Sequence, residues 1–203
     1  FQVHELEGTR FVEIHLNQAV VRVEAGALSY LKGDITIHSP MVPSIGGVIK
    51  SVLASQAVYR PVYAGTGVIT LESSLGGYHI VELDGETWLL DRGAYWASEG
   101  TVEVGYHREP LRRSLLAGEG PVYLLTRVRG FGKVAITTRG PICEYQLQPG
   151  ERVLCDGSLV VARTGGVKFR VRRPTENLLG FLTCGEGWVR IYEGSGRLLL
   201  NPA

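Results

Sequence analysis

Short runs in which apolar and polar residues alternate cover much of this 203-residue chain. A period of two is typical of strands, because successive side chains of a strand point to opposite faces of its sheet. The pattern predicts an all-β protein whose strands each have one apolar face and one more exposed face. The clearest apolar pairs are Trp88 with Leu90, Val134 with Ile136, and Leu198 with Leu200.

Two glycine markers recur along the chain at a period of about 65 residues. Each marker occurs three times, and the two series run in phase. Tight strand reversals favour glycine, which has no Cβ to oppose a positive φ or a close backbone approach. We therefore predict that these are structural turn glycines. The first series is Gly26, Gly93 and Gly157, and the second is the Gly-X-Gly pairs Gly65 and Gly67, Gly130 and Gly132, and Gly194 and Gly196.

A third marker lies between the other two in each repeat: a short segment of helical character, at residues 51–54, 114–117 and 181–184. Together the markers predict one domain of three tandem β-units with short helical turns, approximately residues 1–71, 72–136 and 137–203, around a pseudo-threefold axis. One unit of this size cannot bury its apolar face alone, so the units must share a core. Residues 39–47, rich in proline and glycine, are the best candidate for a long surface loop.

Composition narrows the class of protein. The formal net charge of +1 excludes a strongly basic nucleic-acid binder of the usual kind. The three cysteines form no CxxC pair, so neither a zinc knuckle nor a disulfide framework is indicated, and Cys155 is expected to be a small buried side chain. No apolar run is long enough to span a membrane, and we expect a cytoplasmic protein without a transmembrane segment.

Several motifs together resemble the mitochondrial-biogenesis (altered inheritance of mitochondria) family, in its bacterial form. They are residues 24–30 (EAGALSY), residues 92–100 (RGAYWASEG), the Gly-Glu-Gly turns at 118–120 and 185–187, and residues 147–151 (LQPGE). The resemblance covers nearly the whole chain. It implies three consecutive β-units, each similar to the subunit of the tryptophan RNA-binding attenuation protein (TRAP-like), a short variant of the double-stranded β-helix.

The resemblance implies a role but no catalytic residues. Fungal members are linked to mitochondrial inner-membrane organisation and to the integrity of respiratory complexes. One departure concerns a turn: the first unit has Leu16-Asn17-Gln18 where the last has Pro149-Gly150-Glu151.

Candidate catalytic residues are few. The five histidines form neither an HxH pair nor an HExxH motif, whereas a cupin-like metalloenzyme needs two closely spaced histidines with further ligands. His15 and Glu13 share one strand face and could begin a metal site, but a half-exposed strand pair explains them better. Glu119 and Glu186 could be acid–base carboxylates, yet a threefold arrangement would separate them, which favours turn residues. We expect no enzyme activity and no cofactor.

Charge is distributed unevenly. Residues 1–100 contain 6 Lys/Arg and 11 Asp/Glu (−5), whereas residues 101–203 contain 15 and 9 (+6). In the second half, Lys168, Arg170 and Arg172 alternate with apolar residues, so they predict a basic strand face that Arg173 extends. Arg112, Arg113 and Arg163 are expected nearby.

Three interpretations of the basic strand face remain open. It could meet the acidic half of a second copy or another protein partner. It could hold phosphate groups of a nucleic acid or of an anionic lipid. It could also be a solvated face that discourages edge pairing. We favour a non-enzymatic binding or scaffold protein that forms a homo-oligomer or binds a protein partner.

Overall fold

The structure is a computed structural model that describes residues 1–38, 60–109, 124–156, 159–172 and 189–202. Strands account for 74% of these residues, which confirms the predicted all-β class. Within these ranges no residue is helical, and no helix could cross a membrane. The segments predicted to form helical turns (51–54, 114–117 and 181–184) and the predicted loop at 39–47 lie outside the described residues.

The described residues form fourteen strands. They are β1 (Gln2–Leu6), β2 (Thr9–Val23), β3 (Leu28–His38), β4 (Val62–Leu71), β5 (Tyr78–Leu90), β6 (Tyr95–Glu99), β7 (Val102–Arg108), β8 (Leu124–Thr137), β9 (Cys143–Leu147), β10 (Arg152–Asp156), β11 (Val160–Thr164), β12 (Lys168–Arg172), β13 (Val189–Glu193) and β14 (Gly196–Leu200).

The strands build two sheets. The larger one runs in the order β3-β4-β2-β6-β8-β5-β11-β14-β9, with β1 paired to β2 and β7 paired to β8. The smaller one has the order β10-β13-β12. The registers between the named strands are all antiparallel.

A similar pairing scheme is present in each third of the chain. In the first third, β4 lies between β2 and β3. In the middle third, β8 pairs with β5 and also with β6 and β7. In the last third, β14 pairs with β9 and β11, and β13 pairs with β10 and β12. In each third, the last strand, or the last two strands together, form backbone hydrogen bonds with every earlier strand of the same third except β1.

Three clusters of buried side chains form the core. The first-third cluster includes Ile14 and Ile69, the middle-third cluster includes Trp88 and Tyr95, and the last-third cluster includes Phe169. The Cys155 side chain belongs to the last-third cluster at 6% exposure, which confirms its predicted burial.

The expectation of one more exposed face fails in β5. Trp88, Leu89 and Leu90 are successive residues, and none exceeds 5% exposure. Trp88 and Leu90 face the middle-third cluster, whereas Leu89 packs with Leu125 on the other face. Both faces of the strand are covered here, because apolar side chains pack against each of them.

Two of the three Gly-X-Gly pairs do not lie at strand reversals, whereas Gly194 and Gly196 lie where β13 ends and β14 begins. Gly65 and Gly67 lie inside β4, and the middle pair lies inside β8. At Gly65, φ is 142° and an added Cβ would fall against the Asp34 carbonyl oxygen of β3. Glycine is needed there because two strands approach closely, not because the chain reverses. Gly26 and Gly93 do lie in turns with positive φ, and Gly157 lies outside the described residues.

Candidate binding surface

The predicted basic residues lie on β12, at one edge of the three-stranded sheet. The side chains of Lys168, Arg170 and Arg172 are exposed, whereas Phe169 between them is 3% exposed and belongs to the core. The alternation seen in the sequence thus places these three cations on the outer face of the sheet. Arg173, Arg112 and Arg113 lie outside the described residues.

Strand pairing adds a fourth cation. Lys168 is opposite Glu193, and Glu193 is opposite Arg152 on the far strand β10, so all three share one face. Arg152 is exposed. Sequence reasoning missed Arg152, because only the pairing of β10 and β12 with β13, which lies between them, puts Arg152 on the same face as Lys168. We call Arg152, Lys168, Arg170 and Arg172 the basic face.

One carboxylate partly neutralises the basic face. Arg170 Nη2 lies 2.7 Å from Glu193 Oε1, and the two side chains are 61% and 26% exposed. An exposed pair of this kind contributes at most about 1 kcal/mol, because water screens it. The face therefore keeps an excess of positive charge among the described residues.

Arg163 is not part of the basic face. Its side chain is 8% exposed and forms an ion pair with Glu109, whose side chain is 3% exposed. Its Nη1 donates a hydrogen bond of 2.6 Å to the Val167 carbonyl oxygen, and its guanidinium lies 5.6 Å from the Phe169 ring centroid. Arg163 is a structural cation of the last-third core.

The histidine and carboxylate predicted to share a strand face do meet. His15 Nε2 lies 2.7 Å from Glu13 Oε1, and His4 Nε2 of β1 lies 3.7 Å from the same oxygen. The ring of His4 stacks on Phe11 at 5.2 Å. No group of three or more His, Cys, Asp or Glu in the described ranges could hold a metal ion. Glu119 and Glu186 lie outside those ranges.

A cleft of about 450 Å³ opens beside the contact between β5 and β11. Its lining includes Glu86, His107 and Arg127. Burial alone would raise the pKa of Glu86, but hydrogen bonds from the Trp88 indole and from backbone amides, with the Arg197 charge, lower it overall. Glu86 is thus held as a carboxylate in an ion pair with Arg197, whose guanidinium also lies 4.9 Å from the Trp88 ring centroid.

Comparison with known proteins finds a similar structure, a similar sequence and a matching family. A solved crystal structure of a Streptococcus pyogenes protein has a similar fold, with a TM-score of 0.76, 19% identity and coverage of 100% of this chain and 93% of that one. An uncharacterised protein of Streptococcus pyogenes serotype M6 is 23% identical over 201 residues, which span 94% of this chain and 80% of that protein. The family described as mitochondrial biogenesis AIM24 matches residues 1–203. That match confirms the resemblance drawn from the motifs, and the chain belongs to this family.

Proposed function

We propose that this protein is a non-enzymatic binding or scaffold protein that works through its surface and assembles with further copies of itself. The observation that carries the proposal is the separation of exposed charge. The basic face lies in the last third, whereas residues 72–100 contain 6 Asp/Glu and 1 Lys/Arg, with exposed carboxylates such as Glu82 and Asp84. Complementary charge on two parts of the surface favours association of one copy with the next.

We also infer that the three predicted units, residues 1–71, 72–136 and 137–203, are structural repeats. The support is the position of three β-bulges, one in each third. They fall between Leu28 and Tyr30, between Tyr95 and Ala97, and between Val160 and Ala162. On the partner strand, the two residues opposite each bulge are consecutive: residues 71 and 70, 136 and 135, and 200 and 199. The partner positions are spaced by 65 and 64 residues, the period of the glycine markers.

The proposed role at membranes or respiratory complexes rests on the resemblance to fungal family members alone. We propose that the assembled protein organises other proteins there, as a peripheral partner. The TRAP-like character of each unit, the pseudo-threefold axis and the cytoplasmic location remain predictions.

Native mass spectrometry at low salt, on protein purified from its own host, tests the scaffold proposal. We expect assemblies of several copies without bound cofactor mass. A monomer across the micromolar range would overturn self-association. A stoichiometric nucleotide or metal mass would contradict the non-enzymatic proposal.

A second candidate function is supported by the four exposed cations of the basic face: the binding of an anionic ligand, either a nucleic acid or an anionic lipid. Phosphate contacts release counterions, so binding must weaken steeply as salt rises. Affinity for single-stranded RNA or for vesicles containing phosphatidylglycerol should fall at least tenfold between 50 and 200 mM salt, on the order expected for several phosphate contacts. A flat salt dependence would contradict this candidate.

Reversing charge on the basic face tests both functions. The variant Lys168→Glu, Arg170→Glu, Arg172→Glu should fold normally, because all three side chains are exposed, and should lose association or ligand binding. A charge-matched control is Arg92→Glu, Arg129→Glu, Arg139→Glu, whose side chains are exposed elsewhere. Equal losses in both variants would assign the effect to net charge, and failure of the first to fold would contradict its placement at the surface.

A further inference from the structure

Two junctions between thirds of the chain use the same strand contact. At the first junction, β2 pairs with β6 through Val21 with Glu99, Arg22 with Ser98, and Val23 with Ala97. At the second, β5 pairs with β11 through Trp88 with Thr164, Leu89 with Arg163, and Leu90 with Ala162. In both, the end of the first long strand of one third joins the strand that carries the bulge in the next third.

The last third and the first third carry the two halves of a third such junction. Val153 of β10 is opposite Tyr192, just as Val21 is opposite Tyr63 and Trp88 is opposite Val128. Residues 153–155 therefore correspond to residues 21–23 and 88–90. On the other side, residues 30–32 follow the bulge of β3, as residues 97–99 and 162–164 follow theirs.

Neither half is joined to another strand of the described chain along this edge. β10 pairs only with β13, and residues 30–32 pair only with β4. Exposure agrees with open edges: Tyr30 is 57% and Leu154 is 51% exposed, whereas the corresponding Ala97 is 0% and Leu89 is 5% exposed.

The core clusters show which side chains are missing beside the open edge of β10. The first-third cluster is completed by Ala97 and Ala135 from the middle third, and the middle-third cluster by Ala162 and Leu199 from the last third. The last-third cluster contains no described residue from another third. The positions that correspond to those completing pairs are Tyr30 and Thr70, in the first third.

We propose that β10 of one copy pairs antiparallel with β3 of a second copy, in the register Val153 with Lys32, Leu154 with Leu31, and Cys155 with Tyr30. Backbone hydrogen bonds join the two open edges, and Tyr30 covers the last-third core at Cys155. This inference rests on the proposed self-association and adds the surface and the register.

A contact of this kind is head to tail, because its two sides are different surfaces. Each added copy brings one new β3 edge and one new β10 edge. The assembly therefore grows until it closes into a ring or continues as a filament.

A disulfide trap tests the register. In a background with Cys143→Ser and Cys184→Ser, the variant Tyr30→Cys places a thiol opposite Cys155 across the proposed contact. Directly opposed strand residues are close enough for a disulfide. Mild oxidation should give a ladder of dimers and larger species on a non-reducing gel, which a reductant removes. Lys32→Cys in the same background is the matched control and should give no ladder, because it lies two residues out of register.

A charge variant provides an independent readout. Tyr30→Glu should at least halve the fraction of protein in assemblies in native mass spectrometry and leave the circular dichroism spectrum unchanged, because Tyr30 is exposed in the single copy. Ile37→Glu, at an exposed position further along β3, should leave assembly intact.

The outcomes separate this inference from the scaffold proposal. A ladder together with loss of assembly in Tyr30→Glu supports the register. A disulfide within one chain would overturn the inference and show that the edges close on each other. Assemblies without a ladder would overturn the register and leave the scaffold proposal standing, and a monomeric wild type would overturn both.

Discussion

Gln18 has a left-handed backbone conformation, with φ at 48°. It follows Leu16, which lies opposite Gly67, at the point where the register between β2 and β4 shifts. Glycine occupies the similar positions of the other two thirds: Gly85 after Leu83, and Gly150 after Leu147, with φ near 84°. The sequence departure noted at Leu16-Asn17-Gln18 therefore puts a strained residue where the other two thirds of the chain have glycine.

Gln18→Gly should stabilise the protein. A non-glycine residue in this region is strained by about 1–2 kcal/mol, and glycine is not, although glycine loses more backbone entropy on folding. We expect the free energy of unfolding in urea to rise by about 0.5–1 kcal/mol. Asn17→Gly is the control, and it should be neutral or destabilising. A destabilised Gln18→Gly would contradict the strain at this position, because glycine keeps the backbone N–H that donates a hydrogen bond of 3.0 Å to Thr66 Oγ1.

The buried pair Arg163–Glu109 predicts a large effect from a single truncation. Glu109→Ala leaves a guanidinium of 8% exposure without its carboxylate, and unfolding should become easier by about 3–5 kcal/mol. Glu193→Ala breaks the exposed Arg170 pair and should change the free energy of unfolding by less than about 1 kcal/mol. Similar losses in the two variants, measured by urea titration, would contradict the difference in burial.

Cys155 and Arg163 show which side-chain environments could be predicted from the sequence and which could not. The burial of Cys155 follows from its place between apolar strand neighbours, and the structure has it at 6% exposure. The partner of Arg163 is 54 residues away in the chain. No local pattern encodes such a pair, so Arg163 was grouped with the surface cations.

At the scale of the strand, the glycine pair of β4 lies where the backbones of β3 and β4 approach closely. Gly33 lies opposite Gly67 and Gly65 lies opposite Ile35, and an added Cβ at Gly33 would lie 2.6 Å from the Thr66 carbonyl oxygen. A side chain on either strand would push the backbones apart and break the ladder between them.

Gly65→Ala should therefore cost more than a change of backbone conformation alone. Gly26→Ala is the matched control, because Gly26 has φ at 81° and an added Cβ meets no atom within 4 Å. We expect Gly26→Ala to cost about 1–2 kcal/mol and Gly65→Ala at least about 2 kcal/mol more, in chemical unfolding. Equal costs would show that only the backbone angle matters at Gly65.

The strands themselves were predictable, whereas their partners were only partly so. Alternation placed strands at residues 88–90, 134–136 and 198–200, and the structure has β5, β8 and β14 there. Strand order depends on contacts between distant segments, so the sequence could not place Arg152 on the same face as the cations of β12. The role of the Gly-X-Gly pairs could not be predicted either, because a glycine required by a closely packed neighbouring strand looks the same in sequence as a glycine required by a turn.

For the whole molecule, buried tyrosines set the alkaline limit of stability. Burial raises the pKa of Tyr95 to about 12, and burial also raises the pKa of Tyr192. The ordinary pKa is near 10, so above pH 10 the unfolded chain loses phenolic protons that the folded chain keeps. Stability is therefore full below pH 10 and falls as pH rises from about 10 to 12.

Tyr95→Phe should flatten this dependence by about 1.4 kcal/mol per pH unit, the contribution of one phenol. At neutral pH it should cost about 1 kcal/mol, because the hydroxyl contacts Ser98 Oγ at 2.9 Å and the Arg22 carbonyl oxygen at 3.2 Å. The measurement is urea unfolding at pH 7 to 12. An unchanged alkaline slope would show that Tyr95 ionises freely in the folded protein.

The central place of β8 has a consequence for the dynamics of the molecule. β8 pairs with β5 on one side and with β6 and β7 on the other, whereas β3 and β9 end the large sheet. Amide protons exchange with solvent when their strand opens, and an inner strand cannot open before its neighbours separate. The β8 amides should be the last to take up deuterium, and protection should decline outward along the strand order. Units that only stack on one another would lose protection one at a time, but the large sheet contains strands from all three thirds of the chain, so its slowest exchange should report a single opening of that whole sheet.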